Sequence, residues 1–183
     1  MVKSFNKSIG LLGGSFDPAH KGHLIISKIA LKKIKIHKVL WVITKKNPFK
    51  KKALYSLQQR IDLAKKITRN EKKIQVVHLD KIVKSQKSIK IIDYLIDKKK
   101  LKIIYFLIGS DNLIKFHKWK SWKKIVNMTK LTVFSRKGYD RKGRNSIVVK
   151  YLKNNIIYIK NKHIVVSSTK LRNQTNKKTN GCS

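Results

Sequence analysis

The sequence predicts an α/β chain built on a doubly wound parallel sheet with helices on both faces. Three observations carry that prediction. Short apolar, β-rich runs alternate with longer stretches whose apolar residues recur at helical spacing. The run 102–108 is almost wholly apolar, as expected of a central parallel strand covered on both sides. Glycines close two of the strand-like runs, Gly13-Gly14 after the first and Gly109 after the central one. Sheets of this kind hold their ligands beyond the carboxyl ends of the strands.

The elements follow in order. Residues 9–12 read as a buried strand ended by Gly13-Gly14, and residues 24–34 as a helix with Leu24, Ile25, Ile29, Leu31 and Ile34 apolar. A second strand spans 39–44. Ser56-Leu57-Gln58-Gln59 has the capping-box pattern, a side-chain oxygen with Gln three residues on, and opens a helix carrying Leu57, Ile61, Leu63, Ala64 and Ile67. A third strand falls at 73–78, a third helix at 89–98 and the central strand at 102–108. A short helix over 121–126, a strand over 131–135, a helix over 145–152 and a late strand over 156–159 complete the pattern. Helix-start chemistry begins again at Ser167. Residues 173–183 are polar, without apolar periodicity, and read as a frayed tail. With no repeat and no linker, residues 1–172 are expected to form one domain.

The formal net charge of +38 points first to a polyanionic partner. Two features temper that. Of the 46 basic residues the only arginines are Arg60, Arg69, Arg136, Arg141, Arg144 and Arg172, and the abundant Lys, Ile and Asn match an A/T-biased coding sequence. The lysines are also spread along the chain instead of forming one basic arm. A specific nucleic-acid partner is therefore not expected, although a basic nucleic-acid-binding protein stays an alternative reading. A Lys-rich surface also favours capture of anionic nucleotides. No apolar run approaches the ~20 residues that span a bilayer, and no signal-length apolar stretch precedes Gly10. Cys182 is the sole cysteine, so no intramolecular disulfide forms. The expected location is the cytoplasm. Eight acidic residues leave little for a carboxylate metal cage. No protein metal site is expected, and Mg²⁺ would arrive with nucleotide phosphates, keeping several waters.

The string Gly13-Gly14-Ser15-Phe16-Asp17-Pro18-Ala19-His20-Lys21-Gly22-His23 links the first strand to the first helix. Glycines there let the backbone approach a phosphate, and a helix N-terminus adds unpaired N–H groups. His20 and His23, three apart, share a face on one helical turn. Two imidazoles so placed can donate to phosphate oxygens and stabilise charge during phosphoryl transfer. Each taken alone is equally an ordinary surface or capping histidine. A zinc site is not expected, because no third ligand lies nearby.

That string resembles the signature of the nicotinate-nucleotide adenylyltransferases, Gly-Gly-x-Phe-Asp-Pro-x-His-x-Gly-His. Its His-x-Gly-His part is shared by a wider nucleotidyltransferase superfamily that includes phosphopantetheine adenylyltransferases and cytidylyltransferases. The resemblance covers roughly residues 9–172 and implies a Rossmann-like fold. The implied reaction transfers AMP from ATP to nicotinate mononucleotide, giving nicotinate adenine dinucleotide and pyrophosphate in NAD biosynthesis. His20 and His23 would be the catalytic pair, and Gly13, Gly14, Ser15 and Phe16 would line the ATP phosphates.

Further segments carry the same resemblance. Ile108-Gly109-Ser110-Asp111 resembles the family's Gly-x-Asp segment, which places Ile108, Gly109 and Asp111 by the adenosine. By itself an Asp at that point is equally a helix cap. Trp119, in Phe116-His117-Lys118-Trp119, resembles the family's aromatic region and would stack near the pyridine ring, where simple core packing is the alternative. Val166-Ser167-Ser168-Thr169-Lys170-Leu171-Arg172 resembles the superfamily's Ile-Ser-Ser-Thr-x-Ile-Arg motif, so Ser168, Thr169 and Arg172 would hold the leaving pyrophosphate. Asn47-Pro48-Phe49-Lys50-Lys51 sits where the family has an Asn/Pro-rich loop ending in His and a base. Lys50 stands in for that His. The implied mononucleotide contacts are Asp17, Lys50, Lys51, Trp119 and Arg136, the last in an Arg136-Lys137-Gly138-Tyr139 turn. Ser56 to Arg60 resembles the family's Ser-x-x-x-Arg helix start.

Two departures stand out. Ser88-Ile89-Lys90 falls where the family has Ser-Tyr-Thr, putting Lys90 in place of a Thr that helps hold the pyridine nucleotide. The sequence also ends soon after residue 172, where the family continues with a closing helix. Alternatives to the nicotinate acceptor are nicotinamide mononucleotide and phosphopantetheine, and an inactive descendant of the fold is a further one.

Overall fold

The computed structural model describes residues 8–45, 53–153 and 155–161. Six strands form one sheet in the order β3-β2-β1-β4-β5-β6, and every pair is parallel. They are β1 (Ser8–Gly14), β2 (Lys38–Ile43), β3 (Ile74–Val77), β4 (Ile103–Gly109), β5 (Lys130–Phe134) and β6 (Ile157–Ile159). Between them lie α1 (Lys21–Ile34), α2 (Leu57–Thr68), α3 (Ser88–Asp97), α4 (Ser110–Leu113), α5 (Trp122–Met128), α6 (Asp140–Arg144) and α7 (Ile147–Leu152). The strand order reverses between β1 and β4, which creates a crevice at their carboxyl ends.

The two-residue period of the strands divides the core. Ile9, Leu11, Leu40, Val42, Ile104 and Phe106 point to one face and pack with residues of α3, α5 and α7. Leu12, Val39, Trp41, Ile43 and Leu107 point to the other and pack with residues of α1 and α2. Helices therefore cover both faces, as the sequence predicts. Gly10 marks the tightest approach: a Cβ there would lie 2.8 Å from Ile36 Cδ1 and 2.9 Å from Leu107 Cδ1.

Three expectations shift. β1 runs on through Gly13 and Gly14, which pair with Val42 and Ile43, so the glycines are its last two residues. α1 starts at Lys21, three residues before its first apolar position, because His20 caps it. The stretch expected as one helix from residue 145 is α7 alone, preceded by the short α6. Residues 173–183 and the helix start at Ser167 lie outside the described residues. Among the described residues no helix is long and apolar enough to cross a membrane.

Candidate active site

Three groups of residues gather at the carboxyl ends of the strands. The first is the turn from β1 into α1. His20 is the N-cap of α1, and its Nδ1 accepts the Gly22 N–H at 3.1 Å. His23, at the third helical position, returns the bond: its Nδ1 accepts the His20 N–H at 3.2 Å. This is a capping box made of imidazoles. The two rings lie 3.8 Å apart, centre to centre, tilted by 31°. An Nδ1 that accepts a hydrogen bond carries no proton, so each neutral ring carries its proton on Nε2. The box thus fixes two Nε2–H donors side by side.

Behind the histidines, Phe16 stacks on Trp41 at 5.2 Å and touches the His23 ring at 4.7 Å. The fully buried Trp41 donates from Nε1 to Ser27 Oγ at 2.8 Å, and Ser27 Oγ donates to the His23 carbonyl at 2.8 Å. A chain of contacts from the core of β2 therefore ends on His23. Phe16 has φ +47°, a left-handed conformation for a residue with a bulky side chain and the kind of local strain found at functional turns.

Asp17 follows, 4% exposed. Its carboxylate accepts the backbone N–H groups of Leu54 (3.1 Å) and Tyr55 (3.0 Å). The resemblance gives Asp17 to the mononucleotide; here its two oxygens secure the segment before α2. Arg60, 2% exposed, is the residue the sequence reading undervalues. Its guanidinium donates to four carbonyls: Ser15 at 2.7 Å, Thr44 at 3.0 Å, Lys45 at 3.0 Å and Tyr55 at 3.2 Å. Burial pulls its pKa below the ordinary arginine value, while the carboxylates of Asp17 and Asp80 oppose that shift. The capping-box pattern flagged the helix start. Nothing in the sequence links Arg60 to carbonyls up to 45 residues away.

The second group surrounds a cavity of about 500 Å3 in the crevice. Gly13 and Gly14 of β1, Thr44 after β2, Lys87 and Ser88 at the start of α3, and Trp119 are among its lining residues. Trp119 packs on the core and also borders the cavity. One side stacks on Phe116 at 4.9 Å and its edge meets Phe106 at 6.2 Å, yet it borders the cavity. Lys120 also lines the cavity. No side chain caps the α3 N-terminus, and its first turn holds no acid. Lys90, aligned with the family's Thr, is exposed and does not reach the cavity; Ser88 and Ile91 do.

The third group lies past β4 and β5. The Asp111 carboxylate pairs with the Arg136 guanidinium at 2.8 Å, and its other oxygen, Oδ1, is buried with no hydrogen-bond partner among the described residues. Arg136, expected with the mononucleotide, thus pairs with the residue expected at the adenosine. The Arg136 N–H in turn donates to Asp140 at 2.9 Å. Ile108 is 5% exposed and its side chain belongs to the core, so only its backbone can face a ligand. Lys50, Lys51, Ser168, Thr169 and Arg172 lie outside the described residues.

The comparisons with known proteins agree with this fold. The family profile described as Cytidylyltransferase-like matches residues 11–174. A Pelagibacter ubique protein named "Probable nicotinate-nucleotide adenylyltransferase" is 46% identical over 165 residues, spanning 90% of this chain and 91% of its own. A protein of the same name from Nitratiruptor is 36% identical over 132 residues, covering 72% of this chain and 75% of its own. Among solved structures, Plasmodium falciparum nicotinic acid mononucleotide adenylyltransferase complexed with NaAD shares the fold. It aligns with a TM-score of 0.74 and 19% identity over 91% of this chain and 83% of that one. With a family profile matched over most of the chain and a relative 46% identical over 91% of its own length, the chain belongs to the nicotinate-nucleotide adenylyltransferase family of cytidylyltransferase-like proteins.

Proposed function

We propose that the protein transfers AMP from ATP to nicotinate mononucleotide, giving nicotinate adenine dinucleotide and pyrophosphate. The observation that carries this reading is the imidazole capping box, which presents two Nε2–H donors at the N-terminus of α1. The mononucleotide phosphate is an anion at neutral pH and attacks the α-phosphorus of ATP in line, so no protein nucleophile is required. The work of the protein is positioning and charge stabilisation. His20 and His23 donate to the phosphates as charge builds. The backbone from Gly13 to Phe16 lines the same phosphates. The unpartnered Asp111 Oδ1 suits a ribose hydroxyl, a donor it lacks within the described structure. Ser168, Thr169 and Arg172 hold the leaving pyrophosphate.

The cavity beside Trp119 suits the pyridine ring. Lys87, Lys120 and the uncapped start of α3 give that cavity positive potential, which favours the carboxylate of nicotinate over the neutral amide of nicotinamide. No group of three or more His, Cys, Asp or Glu side chains suited to a metal occurs among the described residues. Both Asp17 oxygens are already engaged, as is one oxygen of Asp111. These residues do not fit a resident metal, and Mg²⁺ enters as part of the Mg–ATP substrate. Residues 1–172 act as one catalytic domain in the cytoplasm.

Pyrophosphate release from Mg–ATP, measured with nicotinate mononucleotide, nicotinamide mononucleotide and phosphopantetheine in parallel, tests the reading. The expected result is a strong preference for the first. Preference for another acceptor moves the protein to a sister activity, and silence with all three overturns the reading.

A further inference from the structure

We propose that Arg60 is a positioning residue that aims the backbone N–H of Phe16 at the nucleotide phosphates. This rests on the reading that the turn after β1 holds those phosphates. A trans peptide is planar, so its C=O and N–H point in opposite directions. The peptide joining Ser15 and Phe16 is trans, since the only cis bond among the described residues is Asp17–Pro18. Its carbonyl is held at 2.7 Å by the Arg60 guanidinium, which lies in the interior. The Phe16 N–H is thereby turned away from the interior. None of the bonds within the described structure uses it. It lies beside Gly14, which lines the crevice: a Cβ on Gly14 would be 3.9 Å from the Phe16 nitrogen. The left-handed conformation of Phe16, which an L-residue adopts only when its surroundings impose it, is the local signature of this arrangement.

The other three bonds of Arg60 explain why the arrangement is rigid. The same guanidinium ties down Thr44 and Lys45 at the end of β2 and Tyr55 before α2. Asp17, two residues past Ser15, ties to Leu54 and Tyr55. The turn is therefore braced against β2 and against the start of α2. A planar fork with five donors can serve four carbonyls at once, and an ammonium cannot.

The test uses the whole protein and two changes. The first replaces the Phe16 amide by an ester, with phenyllactate incorporated at position 16, which deletes the N–H and keeps Arg60. The second is Arg60→Lys, assayed well below its melting temperature, with Arg60→Gln in its place if the lysine variant does not fold. The ester is expected to lower kcat/KM for ATP roughly 10- to 100-fold, the worth of one hydrogen bond to a charged group. The KM for nicotinate mononucleotide should move less than about twofold, within the scatter of independent sites. The Arg60 variant should lower the same ATP parameter and add little to the ester, because the N–H it orients is already gone. Full activity of the ester overturns the proposal. So does an Arg60 variant that melts earlier with unchanged kcat/KM for ATP, and so do losses that multiply in the combined protein. If the wild type releases no pyrophosphate with any acceptor, the functional reading has failed separately. The ester is then scored by calorimetric binding of a non-hydrolysable ATP analogue, where undiminished affinity overturns the proposal and weakened affinity supports it.

Discussion

The Asp111 carboxylate occupies the space that a side chain on Gly109 would need. A Cβ built at Gly109 collides with Asp111 Oδ1, while the Arg136 Cδ is 3.6 Å away. The obstacle is the end of a rotatable side chain, so Gly109→Ala is accommodated by swinging Asp111 off Arg136. The expected result is a rise of roughly 10-fold in KM for ATP, the loss of about one hydrogen bond to a charged group. The melting temperature should move little. An unchanged KM for ATP would remove Asp111 from the nucleotide site.

His23→Ala removes a transition-state donor and one half of the capping box. Turnover should fall roughly 10²- to 10³-fold, and stability by about 1 kcal/mol. Steady-state kinetics with a urea melt reads both. A variant with full turnover would end the catalytic assignment.

Ser27→Ala strands the buried Trp41 Nε1–H, whose acceptor is Ser27 Oγ at 2.8 Å. An unsatisfied buried donor costs about 1–3 kcal/mol. Denaturant unfolding should show that loss, with kcat near wild type at low temperature, because the Ser27 hydroxyl bonds the backbone carbonyl of His23.

Trp119→Ala should raise the KM for the mononucleotide by roughly 10-fold or more, since stacking of a base on an aromatic ring contributes about 1–3 kcal/mol. The KM for ATP should stay within a factor of about two, the scatter expected of an independent site. Equal effects on both substrates would make Trp119 a packing residue alone.

A net charge of +38 repels itself, and ion pairs among the described residues, such as Lys28–Glu71 and Lys124–Asp93, offset little of it. Raising NaCl from about 20 mM to about 300 mM shortens the screening length and should raise the melting temperature by several degrees. A flat response would mean that the lysines are spaced widely enough to ignore one another.

The sheet and most of its helices were legible because their signals are local. The apolar, β-rich run 102–108 reads as a buried strand, and the spacing of Leu57, Ile61 and Ala64 announces α2. Elements without a period were not legible. α4 and α6 are one turn each, too short to repeat, and the imidazole cap of α1 lies outside the usual set of Ser, Thr, Asp and Asn. The site was readable as a string of residue types but not as a division of labour. Asp17 and Arg136, both expected at the mononucleotide, also bond partners that the chain brings from 25 or more residues away, and no sequence signal announces those bonds. Lys90 looked disruptive in alignment, yet the phase of α3 turns it outward and leaves the cavity to Ser88 and Ile91.

The imidazole box at the start of α1 has a practical consequence. The atoms that hold the helix end together belong to the same rings that meet the phosphates. Truncating either ring to alanine should therefore show in a melting curve as well as in turnover. A variant that restores the cap with Asn or Asp at position 20 should melt near the wild type and still turn over slowly, so heat resistance and turnover together separate the two duties of one residue.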